Sequence, residues 1–182
     1  MNLKLVLPSF ALILFLFLIF KKEEVYEPQI FKGNIMGTTY NIILQSDVSA
    51  EDAHIEAYNI LQKVNQEMST YIDDSLISKV NKADIGQWVT VSQDFLDVLS
   101  FATTLCKDTQ GIYDVSIGKL VNLWGFGPDS VDKQPSTEEL SYFSSQVGCN
   151  SIETDPTNLS IKKAKDVELD FSSIAKGFGV DK

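Results

Sequence analysis

Close to its end the sequence reads "LDFSSIAKGFGVDK" (residues 169–182), which brings together an acidic residue, two hydroxyls, a lysine and two glycines. If residues 167–171 are a strand and a helix starts at Ile174, then Ser172 and Ser173 occupy the turn between them. The free N–H groups and the positive end of the helix dipole then face whatever sits there, and an anion suits that place. A lysine at 176 would add a cation for phosphate or pyrophosphate. An ordinary strand-to-helix joint with a serine cap has the same composition, so this stretch alone leaves both readings open. Two other stretches hold chemistry in reserve. "NIMGTTY" (34–40) places a glycine inside a strand pattern, which often marks a close approach of backbone to a ligand. "GIYDVSIGKLVNLWGFGP" (111–128) gathers four glycines, a proline and three large aromatics around Asp114, a loop costly to order unless it lines something.

The elements that must position these stretches follow from periodicity. "IFKGNIMGTTYNIIL" (30–44) reads as a strand pair interrupted by glycine. Ser49 caps a helix whose apolar stripe is Ala57, Ile60, Leu61, Val64 and Met68. "STYIDDS" (69–75) is a loop leading to a short helix with Leu76, Ile77 and Val80, and "WVTVS" (88–92) alternates as a strand. Ser92 caps the next helix, with Phe95, Val98, Leu99, Ala102 and Leu105 on one face and a left-handed stop at Gly111. Ser136 and Glu139 form a capping box, and residues 151–171 read as three short strands turning at Asp155-Pro156 and Lys165-Asp166. The mixture implies one α+β domain over residues 25–182, with a mixed or antiparallel sheet and packed helices.

Composition limits the chemistry. The chain has 182 residues, 44% hydrophobic, enough for one sizeable core, and a net charge of −10 from 25 acids against 15 bases. It offers no basic face for a phosphodiester backbone, which argues against nucleic acid. The single histidine, His54, lies on a polar helical stretch and reads as solvated, so a triad or a histidine metal site lacks its parts. Cys106 sits in an apolar helical pattern and Cys149 at the start of an expected strand, so both read as small buried hydrophobes, with their pairing left open. The first 24 residues differ in kind. After Lys4, "LVLPSFALILFLFLIF" (5–20) is almost wholly apolar and ends in two lysines and two glutamates, an export signal or membrane anchor. No A-x-A pattern follows it and no neighbouring cysteine could carry a lipid, which favours an uncleaved anchor.

The segments "MGTTY", "STYIDDSLIS", "YDVSIGKLVNLWGFG" and "LDFSSIAKGFGVD" occur in the order and approximate spacing of similar segments in ApbE-type flavin transferases, the FAD:protein FMN transferases. The chain resembles that family from about residue 31 to 182, and four ordered motifs are far more specific than one glycine pattern. The resemblance implies a T-fold-like domain in a bacterial enzyme on the periplasmic side of the inner membrane. With magnesium, it would split FAD and attach FMN to a threonine or serine of an acceptor flavoprotein, a subunit of a membrane redox complex. Residue by residue, it implies that Met36, Tyr71, Ile112, Tyr113, Asp114, Asp170 and Lys176 contact FAD, and that Ser173 offers magnesium a backbone oxygen. No residue is assigned a catalytic role. The residue types suit these tasks: a thioether and an aromatic for a flavin face, carboxylates for ring N–H or ribose hydroxyls, lysine for pyrophosphate. Bland readings stand beside them, with Met36 and Tyr71 as core fillers, Asp114 as a turn former and Lys176 as a solvated helix lysine.

In similar proteins the chain continues well past the last motif, where an acidic and a hydroxyl side chain complete the magnesium site. Here Lys182 falls inside the first helix after the strand with no stop signal, so the chain reads as a truncated, N-terminal portion whose own activity is in doubt. The alternative functions are an exported, non-catalytic FAD-binding protein, or a hydrolase that releases FMN and AMP from FAD.

Overall fold

The computed structural model describes residues 26–128 and 134–182. The expected anchor at residues 5–20 lies outside the described residues. Strands β1 (Gln29–Ile35) and β2 (Thr38–Leu44) pair antiparallel from Gln29↔Leu44 to Ile35↔Thr38. Only Met36 and Gly37 join them, with φ of 51° and 67°. Positive φ at both central positions gives the turn whose twist matches a hairpin. Glycine adopts it freely, whereas Met36 does so at a cost of about 1 kcal/mol. The glycine inside the strand pattern is therefore first of all a turn residue.

Helix α1 (Ala50–Met68) covers one face of this hairpin, with the Ser49 side chain accepting from the N–H of Asp52. Leu61, Val64 and Met68 of its expected stripe are buried, and Ala57 and Ile60 half-buried. His54 is not the solvated side chain expected. Its ring stacks on Phe31 at 5.0 Å, and Nε2 lies 3.0 Å from the Tyr40 hydroxyl. A polar helical stretch does not reveal that a hairpin will lie over it.

Helices α2 (Leu76–Lys82) and α3 (Gln93–Asp108) are capped by Ser75 and Ser92, whose hydroxyls accept from the N–H groups of Ser78 and Phe95. At the end of α3, Gln110 (φ 55°) and Gly111 (φ 84°) are both left-handed, and their N–H groups close on the carbonyls of Lys107 and Cys106. A second antiparallel sheet has the order β3–β5–β4, from β3 (Val89–Thr90), β4 (Ile152–Asp155) and β5 (Ser160–Lys163). The strand expected at 88–92 is cut to two residues because Ser92 turns out of it to cap α3. Residues 111–128 are not all loop: α4 (Gly118–Leu123) forms within them. Helix α5 (Thr137–Gln146) carries both halves of the expected capping box, and α6 (Ala175–Asp181) closes the order. Phe95, Ile77, Leu99, Ile161, Leu169 and Phe171 form the centre of the core, with the rings of Phe95 and Phe171 5.0 Å apart.

Two expectations are corrected by this arrangement. Residues 167–171 form no regular strand: their one bridge is parallel, between Ile117 and Glu168, because the neighbouring segment turns into α4 at Gly118. Cys106 and Cys149 are not separate buried thiols but a disulfide, with Cα atoms 5.6 Å apart. Cys149 does not begin a strand. It sits in the turn before β4, and that turn lies against the end of α3.

Candidate functional site

The loop after α1 is held from beneath by two buried serines. The Ser75 hydroxyl donates to the carbonyl of Ser69 at 2.7 Å and the Ser78 hydroxyl to that of Ile72 at 2.8 Å. Thus pinned, the loop presents Tyr71 to solvent with 67% of its surface exposed, which removes the core-filler reading for that residue. The Tyr71 hydroxyl donates to the carbonyl of Phe126 at 2.9 Å, fastening a second exposed aromatic beside it. Between them and α6 opens a cavity of about 690 Å³. Its apolar wall is Met36, Val64 and Met68, its rim Tyr71 and Phe126, and its polar side Asn65, Ser172 and Lys176. A flat aromatic ring system fits such a wall, and a cation at one side suits a phosphate attached to it.

Met36 therefore does two things. It packs partly against the core and lines the cavity, from a left-handed backbone position uncommon for a residue with a side chain. Lys176 is exposed on α6, as the bland reading has it, yet its helix position places it on the cavity side.

Asp170 is buried and lines a different, polar cavity of about 180 Å³, with Asn81, Lys82, Asn122 and Glu168. Thr70 borders both cavities. The Asp170 Oδ1 accepts from the N–H of Ser172 at 2.7 Å, so the carboxylate and not a serine hydroxyl organises the turn into α6. Neither serine caps that helix, whose first flanking residue is Ile174 with no side-chain cap. Ser173 is exposed, and its hydroxyl lies 3.1 Å from that of Tyr113, which brings Tyr113 to the same turn.

Ile112 and Asp114 are not brought to either cavity. Ile112 is 91% exposed. Asp114 Oδ1 accepts from both the N–H (2.8 Å) and hydroxyl (2.7 Å) of Ser116, a turn-forming role, and faces a small cavity beside the disulfide. Sequence reasoning missed Phe126, Thr70 and Asn81. The aromatic run around Phe126 reads in sequence as a loop that must line something, but only the fold assigns the individual ring.

Two lysines outside the lining of the polar cavity are involved in shifted protonation. Lys119 donates to Asp166 and holds its carboxyl below the ordinary 3.8, despite partial burial acting the other way. Lys163 is buried on β5, and loss of water pushes its ammonium below the ordinary 10.5.

No group of three or more histidine, cysteine or acidic side chains that could hold a metal exists among the described residues. Ser173 brings one carbonyl, and the Asp170 carboxylate already accepts a backbone N–H. These residues do not by themselves fit a magnesium ion, which asks for near-octahedral oxygen coordination.

An α+β domain with an aromatic-rimmed cavity beside a lysine-bearing helix has the shape and chemistry to suit an aromatic, phosphate-bearing molecule. The family follows from comparison: the ApbE family model matches residues 36–182, and the chain belongs to that family. It is 42% identical over 158 residues to the FAD:protein FMN transferase of Haemophilus influenzae, covering 82% of this chain and 46% of that protein. The solved flavin transferase ApbE from Vibrio cholerae superposes with a TM-score of 0.79 at 37% identity, over 85% of this chain and 51% of that one. The apo flavinyl transferase ApbE from Pseudomonas stutzeri gives 0.78 at 29% identity, over 88% and 54%. The chain thus spans about half the length of the curated relatives it matches.

Proposed function

We propose that this protein takes part in transferring FMN from FAD to a threonine or serine hydroxyl of an acceptor flavoprotein, a subunit of a membrane redox complex. The observation that carries the reading is the 690 Å³ cavity, in which Met36, Tyr71 and Phe126 supply an apolar and aromatic wall and Lys176 a cation. The isoalloxazine lies against that wall, and Lys176 with the turn at Ser172 serves the pyrophosphate. In the transfer, the acceptor hydroxyl oxygen bonds to the FMN phosphorus while the bond from that phosphorus to the AMP oxygen breaks. The electron pair leaves with AMP and the hydroxyl proton passes to solvent. The chain's residues hold and orient the dinucleotide so that the FMN phosphorus faces the incoming hydroxyl.

Magnesium dependence is what the resemblance to the flavin transferases implies. The proposed place is the exported face of a bacterial inner membrane, reached through the apolar segment at 5–20. The Cys106–Cys149 disulfide supports an oxidising compartment.

The test incubates the purified protein with FAD, magnesium chloride and an acceptor flavoprotein subunit, and follows protein-bound flavin fluorescence in denaturing gels. Transfer to the acceptor that is abolished by EDTA and by Asp170→Ala, but retained in Ser173→Ala, is the expected result. Free FMN and AMP without labelled acceptor would favour the hydrolase, and FAD recovered intact the non-catalytic binder. Transfer undiminished in both Asp170→Ala and Lys176→Ala would reject the proposed site.

A further inference from the structure

We propose that Asn81 is a positioning residue for Asp170, an inference that rests on the transfer reading of the site. Along an extended segment, backbone groups of successive residues point to opposite sides. In residues 168–170, the Glu168 carbonyl accepts from the N–H of Gly118 and the Asp170 N–H donates to the carbonyl of Val115, each at 2.8 Å. Leu169 points the other way, toward α2, a side where among the described residues no strand pairs with it. There the Asn81 side chain takes the place of one. Its Oδ1 accepts from the Leu169 N–H at 2.7 Å, and its Nδ2 donates to the Leu169 carbonyl at 2.9 Å, across 88 residues of sequence.

Leu169 is fully buried, so without Asn81 both its backbone groups would be left unpaired away from water. Asn81 is fixed in turn from β5, where the buried Lys163 ammonium donates to its backbone carbonyl at 2.6 Å. Asn81, Leu169 and Asp170 all line the 180 Å³ polar cavity. Leu169 is bonded to Asn81 on one side and Asp170 to Val115 on the other, so the backbone before the turn at Ser172 has one available position. The Asp170 carboxylate inherits its direction from that position.

Two variants and their combination test this in the full chain. Asn81→Ala is expected to weaken FAD binding at least tenfold by flavin fluorescence titration, as Asp170→Ala is expected to do through the turn at Ser172 that lines the flavin cavity. The double variant should bind no more weakly than Asp170→Ala alone, because Asn81 acts through that carboxylate. Amide hydrogen exchange at residues 168–171 should accelerate at least tenfold in Asn81→Ala and stay near normal in Asp170→Ala. Asn81→Asp keeps the acceptor for the Leu169 N–H and should show an intermediate rise. It takes the place of Asn81→Ala in every measurement if the latter does not fold.

Exchange unchanged in the Asn81 variant, or FAD binding unchanged beside a weakened Asp170→Ala, overturns the proposal. A loss that persists in full in the Asp170→Ala background overturns it too, since Asn81 would then act on the ligand directly. If Asp170→Ala itself leaves FAD binding intact, the flavin reading of Asp170 fails, and the exchange measurement still decides whether Asn81 holds this segment.

Discussion

Breaking the Cys106–Cys149 disulfide should both destabilise the protein and loosen the segment that carries Tyr113 and Asp114. The bond closes a loop across 43 residues of sequence. In the chain-entropy relation, a loop of that length stabilises the fold by about 4 kcal/mol. That is a large part of the roughly 5–15 kcal/mol that holds an ordinary domain together, and corresponds to a fall in Tm of about 8–16 °C. The disulfide also clamps the segment carrying Tyr113 and Asp114. On one side the Cys106 carbonyl accepts from the Gly111 N–H at 2.8 Å, and the Thr109 hydroxyl oxygen accepts from the Tyr113 N–H at 3.1 Å. On the other side the N–H of Gly148, next to Cys149, donates to the Ser116 hydroxyl oxygen at 3.2 Å, and that hydroxyl donates to Asp114. The assay is thermal unfolding by circular dichroism with and without dithiothreitol, on the native chain and on Cys106→Ala/Cys149→Ala. Reduction should lower the Tm of the native chain to near that of the double variant and leave the variant itself unmoved. Equal melting of oxidised and reduced native protein would refute the reasoning.

Packing and pH give two further tests. At Gly179 on α6, an added Cβ would lie 3.1 Å from Leu61 Cδ2 and 3.6 Å from Met36 Cε, so Gly179→Leu should cost about 1–3 kcal/mol. It should also weaken FAD binding by displacing Met36 from the cavity wall, measured by urea unfolding alongside flavin titration. On acidification, Asp94 and Asp166 are held below the ordinary 3.8, Asp94 by hydrogen bonds from Lys182 and Lys63 and Asp166 by that from Lys119. Their contribution is therefore complete above the unfolded carboxyl value and is lost as pH falls below about 4 through the depressed values. Urea midpoints should be level near neutrality and drop in that acid range, with a shallower drop in Lys119→Ala. Lys163 acts with the same sign of slope, but in the alkaline range. Its depressed ammonium should make stability rise as pH climbs through the folded value toward the ordinary 10.5.

The sequence by itself determined what depends on local rules. The hairpin at 30–44, the caps at Ser49, Ser92 and Ser136 and the buried faces of α1 and α3 are set by short-range hydrogen bonding and by periodicity, and all are legible in the order of residues alone. The family is legible too, because four motifs in order constrain one another. What sequence could not show depends on which distant segments meet. His54 found a hairpin rather than water, and Cys149 found Cys106 because a turn and not a strand begins there. Residues 167–171 lost their ladder because their neighbour turns into α4, and an asparagine side chain 88 residues away took the place of a strand. Phe126 joined the cavity rim through a hydrogen bond from Tyr71 spanning 55 residues. Local propensity carries no information about such pairings. They are decided when burial of the common core brings segments together and every buried N–H and C=O must find a partner where it comes to rest.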